Sequence, residues 1–139
     1  IMPIIKDDIA FGLKRLKLLK SEEDARISAT LARLKIEHLA NRRAHELSGG
    51  ELQLAALAAL LVTEPQLLIM DEPTNQLDLR NRDLIEKTIH ELSEQVITIS
   101  HDLALIENFE RVLVFHQGKL AGDTNPAEAI ALYKELALA

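Results

Sequence analysis

A chain of 139 residues with a formal net charge of −6 is one domain at most, and its acidic balance argues against a general nucleic-acid binder, which would show a basic patch. The absence of cysteine excludes disulfides and cysteine-ligated metals. The longest apolar run, residues 54–62, is much shorter than the ~20 residues that a membrane-spanning helix needs.

The first part of the chain has helical periodicity. It predicts helices over residues 5–19, 21–34, 36–41 and 50–62. The first of these carries Ile9, Leu13 and Leu16 on one face. The last is so rich in alanine and leucine that we expect it to be buried on most sides, and Pro65 ends it.

After residue 65 strands and helices alternate. The pattern predicts strands over 67–70, 95–100 and 111–116, helices over 79–93 and 102–108, a hairpin turn at 117–118 into a strand over 119–122, and a final helix from residue 125. Such alternation predicts an α/β fold with a parallel sheet, whose interior strands are buried on both faces. We therefore divide the chain into a helical subdomain, 1–64, and part of an α/β core, 65–139.

A small-residue turn, Leu47-Ser48-Gly49-Gly50-Glu51, opens the helix over 50–62. By itself this turn is typical of an ordinary helix start, with Ser48 as N-cap. The unpaired N–H groups of Ser48, Gly49 and Gly50 and the positive end of the helix dipole also favour an anion. Glycine lets a phosphate approach the backbone without meeting a Cβ atom.

Two carboxylates follow the apolar strand over 67–70, in the order Asp71-Glu72-Pro73, and Ser100-His101-Asp102 follows the strand over 95–100. The carboxyl edge of a parallel sheet is where nucleotide sites of α/β folds lie. Neighbouring carboxylates on a strand point opposite ways and can take separate roles. The sequence therefore places Glu72 and His101 at one edge.

This ordered set of motifs, with Leu77-Asp78 between them, resembles the second half of an ATP-binding-cassette (ABC) ATPase domain. The stretches over 3–13, 106–119 and 125–128 are similar to the energy-coupling-factor ATPases of cobalt, biotin and other vitamin importers. The phosphate-binding pattern G-x-x-x-x-G-K-[ST] occurs nowhere in the chain. The resemblance thus covers the whole chain, but it begins in the middle of the domain and implies a partial P-loop NTPase fold with an incomplete sheet.

The resemblance also implies roles for single residues. Asp71 would help to hold Mg²⁺ through water, Glu72 would orient the attacking water, and His101 would contact the γ-phosphate of ATP, which are tasks of positioning and charge stabilisation. The residues that would contact ATP are Ser48, Gly49, Gly50, Glu51 and Asp78. Ser48, Gly49 and Gly50 of the small-residue turn, called the Ser48 turn below, would contact ATP held by the opposite subunit of a head-to-tail dimer.

The implied partners are a second ABC ATPase subunit and a membrane coupling subunit that docks on residues 1–62, with no nucleic acid. The implied location is peripheral, at the cytoplasmic face of the cell membrane. Without the P-loop we expect no ATP hydrolysis by this chain alone. We also expect unpaired strand edges where the strand that leads into the P-loop would lie, and hence an unstable, self-associated or rearranged chain.

Two alternatives stay open at this point. The chain could be a truncated, non-catalytic module that binds a partner ATPase or a membrane subunit. It could also be a fragment of a translation-associated ABC protein, because Thr74-Asn75-Gln76 and Glu51 resemble that type. Leu54 departs from the arginine that usually follows the family's signature turn.

Overall fold

The structure, a computed structural model, describes residues 4–138. The helices are α1 (Ile5–Leu13), α2 (Lys20–Arg33), α3 (Gly49–Leu61), α4 (Leu79–Glu91), α5 (Leu103–Ile106) and α6 (Pro126–Leu138). The strands are β1 (Leu67–Asp71), β2 (Gln95–Ile99), β3 (Val112–His116) and β4 (Lys119–Thr124). In the described part of the chain no strand precedes β1. The division into two subdomains near residue 65 remains a prediction.

The first helix is shorter than the predicted 5–19. It ends at Leu13, a 3₁₀ turn follows over Lys14–Leu16, and Lys17 has a left-handed φ of 50°. Ile9 and Leu13 are buried against the core, whereas Leu16 is 47% exposed. Two of the three residues of the predicted apolar face, Ile9 and Leu13, are therefore internal and cannot contact a partner. The apolar side chains that face solvent in this region are Phe11 and Leu19, each 69% exposed, together with Leu16.

Helix α3 packs against α1 and α4. A Cβ atom on Gly12 of α1 would lie 3.1 Å from the Ala59 carbonyl oxygen, so the glycine permits a close approach of the two helices. As expected, α3 is buried over most of its circumference, and only one stripe is exposed. Leu54, Ala58 and Leu61 are buried, but a stripe on the opposite side is exposed, because no element of the described chain covers it: Leu52, Gln53, Ala56 and Leu60.

The strands form two separate pairs. β1 and β2 pair in parallel, with Leu68 opposite Val96, and β3 and β4 pair as an antiparallel hairpin. Among residues 4–138 no ladder joins β2 to β3, so the sheet is incomplete, as expected, and these strands have not rearranged to pair with each other. Whether the chain is unstable or self-associated stays a prediction.

Burial of the β1–β2 pair is one-sided, contrary to the prediction of strands buried on both faces. Leu68 is 4% exposed, but Ile69 is 62%, Ile97 50% and Ile99 54% exposed. Helices cover only one face of this pair in the described chain. Elsewhere α6 packs on the β3–β4 hairpin, and Arg33 of α2 makes a bidentate ion pair with Glu94, with both contacts at 2.6 Å. No helix within residues 4–138 is long and apolar enough to cross a membrane.

Candidate functional site

The Ser48 turn is a capping box at the start of α3. The Ser48 hydroxyl accepts a hydrogen bond from the Glu51 N–H at 3.3 Å, and Glu51 Oε2 accepts one from the Ser48 N–H at 2.8 Å. That second hydrogen bond is the main cause that lowers the pKa of Glu51. The ordinary helix start is therefore present. The prediction that the Ser48 N–H is unpaired is therefore wrong, whereas the N–H groups of Gly49 and Gly50 have no acceptor within α3. The anion role of this turn remains a prediction.

Gly50 lies directly against the first turn of α4. A Cβ atom on Gly50 would lie 2.3 Å from Asn81 Oδ1, which is a severe overlap, whereas one on Gly49 would lie 3.5 Å from a Leu77 methyl carbon, which is ordinary contact. Asn81 is held in place by Asp78, whose carboxylate accepts from the Asn81 backbone N–H at 2.9 Å and from its Nδ2 at 3.0 Å. We did not predict a role for Asn81, although its spacing of three from the helix-capping Asp78 was a usable signal.

Ser48, Glu51 and Asp78 line one open cleft of about 640 Å³ between α3 and α4. Three of the five predicted ATP-contacting residues therefore line the same cleft. Contact between a nucleotide and this cleft remains a prediction.

Glu72 and His101 meet at the carboxyl edge of the β1–β2 pair. Glu72 Oε1 lies 2.6 Å from His101 Nδ1, and the Ser100 hydroxyl donates to Glu72 Oε2 at 3.3 Å. The contact with His101 is the main cause that lowers the pKa of the Glu72 carboxyl. Strand alternation does not separate Glu72 from Asp71, because β1 ends at Asp71 and Glu72 adopts a left-handed φ of 48°. A side chain in this region of φ is strained, and such strain is often found at functional sites.

Asp102, the residue after His101, holds the neighbouring loops together. Its Oδ2 accepts a hydrogen bond from the Thr74 hydroxyl at 3.1 Å, and its Oδ1 is the partner of the Arg82 guanidinium. Arg82 also reaches Glu86 at 3.0 Å. We did not predict the roles of Thr74, Arg82 and Asp102, because their contacts join segments that are 20 and 28 residues apart in sequence.

Asp71 stands exposed at the end of β1. Within residues 4–138 no group of three or more histidine, aspartate or glutamate side chains is arranged to hold a metal ion. A single exposed carboxylate nevertheless fits Mg²⁺ in a phosphate site, because this ion keeps several waters and takes one or two carboxylates together with phosphate oxygens. The residues present therefore suit a metal that arrives with a nucleotide, and not a metal held by the protein alone.

Two clusters thus flank the start of α4. Gly50, Asn81 and Asp78 form one, and Glu72, His101 and Asp102 form the other.

A family model described as ABC transporter matches residues 4–75, which is more than half of the chain. The chain belongs to the ABC transporter family. The α/β fold, the Ser48 turn and the carboxylates after β1 agree with this membership.

Two similar proteins show which type of ABC transporter protein this chain resembles. The biotin transport ATP-binding protein BioM of Rhizobium etli is 64% identical over 99% of this chain, and the energy-coupling factor transporter ATP-binding protein EcfA of Methanothermobacter thermautotrophicus is 37% identical over 91%. The chain spans 61% and 42% of their lengths. These relatives confirm the resemblance to ATP-binding proteins of the energy-coupling-factor type.

A solved structure shows the same fold. That of cbiO1 from Clostridium perfringens, described as part of the ABC transporter complex cbiONQ, superposes with a TM-score of 0.85 at 32% identity, covering 99% of this chain and 58% of that one. The predicted partial ABC ATPase fold is therefore confirmed.

Proposed function

We propose that this chain is part of the ATP-binding subunit of an ABC importer of the energy-coupling-factor type, and that the subunit couples ATP hydrolysis to solute uptake. The observation that carries the proposal is the 2.6 Å contact between Glu72 and His101 at the carboxyl edge of β1 and β2. It brings a carboxylate that could orient water next to a side chain that could contact a phosphate. A γ-phosphate that binds His101 would change the surroundings of Glu72 directly.

The chain contributes to two nucleotide sites in this proposal. Glu72, His101 and Asp71 act on ATP and Mg²⁺ held by their own subunit, while the Ser48 turn and Asp78 face ATP held by the second subunit of a head-to-tail dimer. The phosphate-cradling loop comes from a segment outside residues 1–139. We call this chain together with that segment the complete cassette, and we infer that the chain hydrolyses no ATP without it.

The proposed solute is biotin. The support is the 64% identity to a protein named for biotin transport. The energy-coupling factor and cbiONQ relatives keep other vitamins and metal ions as alternatives. Uptake of labelled biotin by cells with and without this protein tests the choice, and unchanged uptake after its deletion contradicts it.

The proposed membrane partner docks on Phe11, Leu16 and Leu19. Phe11 lies in α1, Leu16 in the 3₁₀ turn that follows it and Leu19 directly before α2, and all three side chains face solvent. An exposed apolar group of this kind marks interaction surfaces. The proposal places the protein peripherally at the cytoplasmic face of the membrane, and co-purification of the membrane subunit with the complete cassette tests it.

The proposal as a whole is tested by ATP hydrolysis. We expect the complete cassette to hydrolyse MgATP, the 139-residue chain alone to be inactive, and the complete cassette with Glu72→Gln to bind ATP without turnover. Hydrolysis by the chain alone would contradict the proposal.

A further inference from the structure

Asp102 makes more contacts than a helix cap needs. Its Oδ1 accepts from the Ala104 N–H at 3.2 Å and the Leu105 N–H at 3.4 Å, which are the contacts of an ordinary N-cap for α5. Yet α5 has only four residues. The stronger partners of the carboxylate come from elsewhere in the chain, namely the Thr74 hydroxyl and the Arg82 guanidinium.

Thr74 is the one buried polar residue among residues 4–138, at 7% exposure. Its hydroxyl donates to Asp102 Oδ2. A buried hydroxyl without a partner costs free energy, so this contact fixes where the loop after Glu72 can lie relative to Asp102.

Arg82 holds Asp102 from the other side. The side chains of Arg82 and Asp102 are 30% and 15% exposed, so the pair is screened by solvent less than a surface pair is. Glu86, one turn further along α4, also contacts the Arg82 guanidinium and limits its freedom. One carboxylate therefore joins the loop after β1, the loop after β2 and α4.

We propose that Asp102 is a positioning residue: by holding Thr74 and Arg82 together it sets the place of His101 relative to Glu72. His101 precedes Asp102 directly, and Thr74 lies two residues after Glu72. Glu72 lies in the loop after β1 and His101 in the loop after β2. Because Asp102 binds both loops, it fixes the positions of these two side chains relative to each other. The expected effect on turnover rests on the proposed function, whereas the expected effect on geometry does not.

The test compares Thr74→Val with Thr74→Ser in the complete cassette. Valine removes the hydroxyl at nearly constant volume, and serine restores it. The first readout is the NMR signal of the His101 ring together with hydrogen exchange of the amides over residues 102–105. With Thr74→Val we expect the His101 signal to shift and exchange over 102–105 to rise about fivefold or more, while Thr74→Ser restores both. Arg82→Gln should act like Thr74→Val.

Arg80→Gln is the matched control, because Arg80 is an exposed arginine on the same helix and has no ion pair among the described residues. It should leave both readouts unchanged. A Thr74→Val protein in which the His101 signal and the exchange over 102–105 match the wild type would overturn the proposal. So would a rise in exchange that is equally large in α3 and α6, since that result means a general loss of stability.

The second readout is ATP hydrolysis. Loss of alignment should lower kcat about tenfold or more in Thr74→Val, with KM for ATP within about twofold. An equal loss in a cassette whose His101 signal has not moved would overturn the positioning role. If the wild-type cassette shows no hydrolysis, the proposed function fails, and the NMR and exchange comparison still decides whether Asp102 positions His101.

Discussion

Glu72 and His101 lie side by side, with 2.6 Å between Oε1 and Nδ1, although 29 residues separate them in sequence. The parallel pairing of β1 and β2 causes this, because Asp71 and Ile99 are register partners and the next residues of both strands emerge at the same edge. The Glu72 N–H also donates to the Ile99 carbonyl oxygen at 2.8 Å, which holds the turn against β2.

The contact with His101 should show in the titration of Glu72. The hydrogen bond from His101 lowers the pKa of Glu72 below its ordinary value of 4.5, so we expect His101→Ala to raise that pKa toward the ordinary value. Side-chain carboxyl NMR measures it. Glu51 serves as an internal control, because the Ser48 N–H is the main cause of its lowered pKa and does not change in the variant.

The sign of the effect on stability follows from the same shift. A carboxyl whose pKa is lower in the folded state stabilises the fold above the ordinary pKa, and this stabilisation disappears as the pH falls through the lowered value. The difference in melting temperature between wild type and His101→Ala should therefore be larger at pH 6 than below about pH 3. A Glu72 pKa that stays low in His101→Ala would contradict the assignment.

Gly50 should tolerate alanine much less well than Gly49 does. The added Cβ atom of Gly50→Ala overlaps Asn81, and overpacking of this kind costs about 1–3 kcal/mol. Gly49→Ala meets only ordinary contact with Leu77 and serves as the matched control. Thermal unfolding measures both.

Asn81→Gly should rescue Gly50→Ala, because it removes the side chain that the new Cβ atom meets. Equal melting temperatures for Gly50→Ala and Gly49→Ala would show that α3 and α4 are not in contact as described. Any larger side chain at position 50 meets the same overlap with Asn81, so a loss of turnover in such a variant would combine an effect on nucleotide with disruption of the chain's own packing.

Substitution of two apolar residues of α1 by alanine should affect two different properties, because one side chain is buried and the other is exposed. Ile9 is fully buried, so Ile9→Ala should cost about 2–5 kcal/mol of unfolding free energy. Phe11 is 69% exposed, so Phe11→Ala should leave the melting temperature nearly unchanged and weaken co-purification of the membrane subunit. Leu60→Ala, an exposed site on α3 at 51%, is the control for loss of any surface apolar group. Unaltered co-purification in Phe11→Ala and Leu16→Ala together would contradict the docking surface.

Local patterns in the sequence predicted the elements well. The strand over 67–70 is β1 with one more residue, and the capping Ser48 begins α3. Predictions that needed tertiary contacts were less successful. The first helix ends early at Leu13, and the turn at Lys17 leads into α2, whose Ile27 and Leu31 are buried in the core. No period in the sequence marks that position.

In the candidate site, too, only some of the contacts could be predicted from the sequence. Glu72 and His101 follow apolar strands, so their meeting could be expected from the pattern of a parallel sheet. The contacts of Asn81 with Gly50 and of Asp102 with Thr74 could not, because they depend on how α4 and the two loops pack. One-sided burial of β1 and β2 was also missed, since an apolar run does not tell whether both faces are covered.

The most direct test of the account is ATP hydrolysis by the complete cassette with and without Glu72→Gln, with Glu107→Gln as the matched control at an exposed glutamate. We expect the wild type and Glu107→Gln to hydrolyse MgATP equally. We expect Glu72→Gln to bind MgATP with unchanged affinity and to hydrolyse it at least about 100-fold more slowly. Turnover by Glu72→Gln within about twofold of the wild type would contradict it.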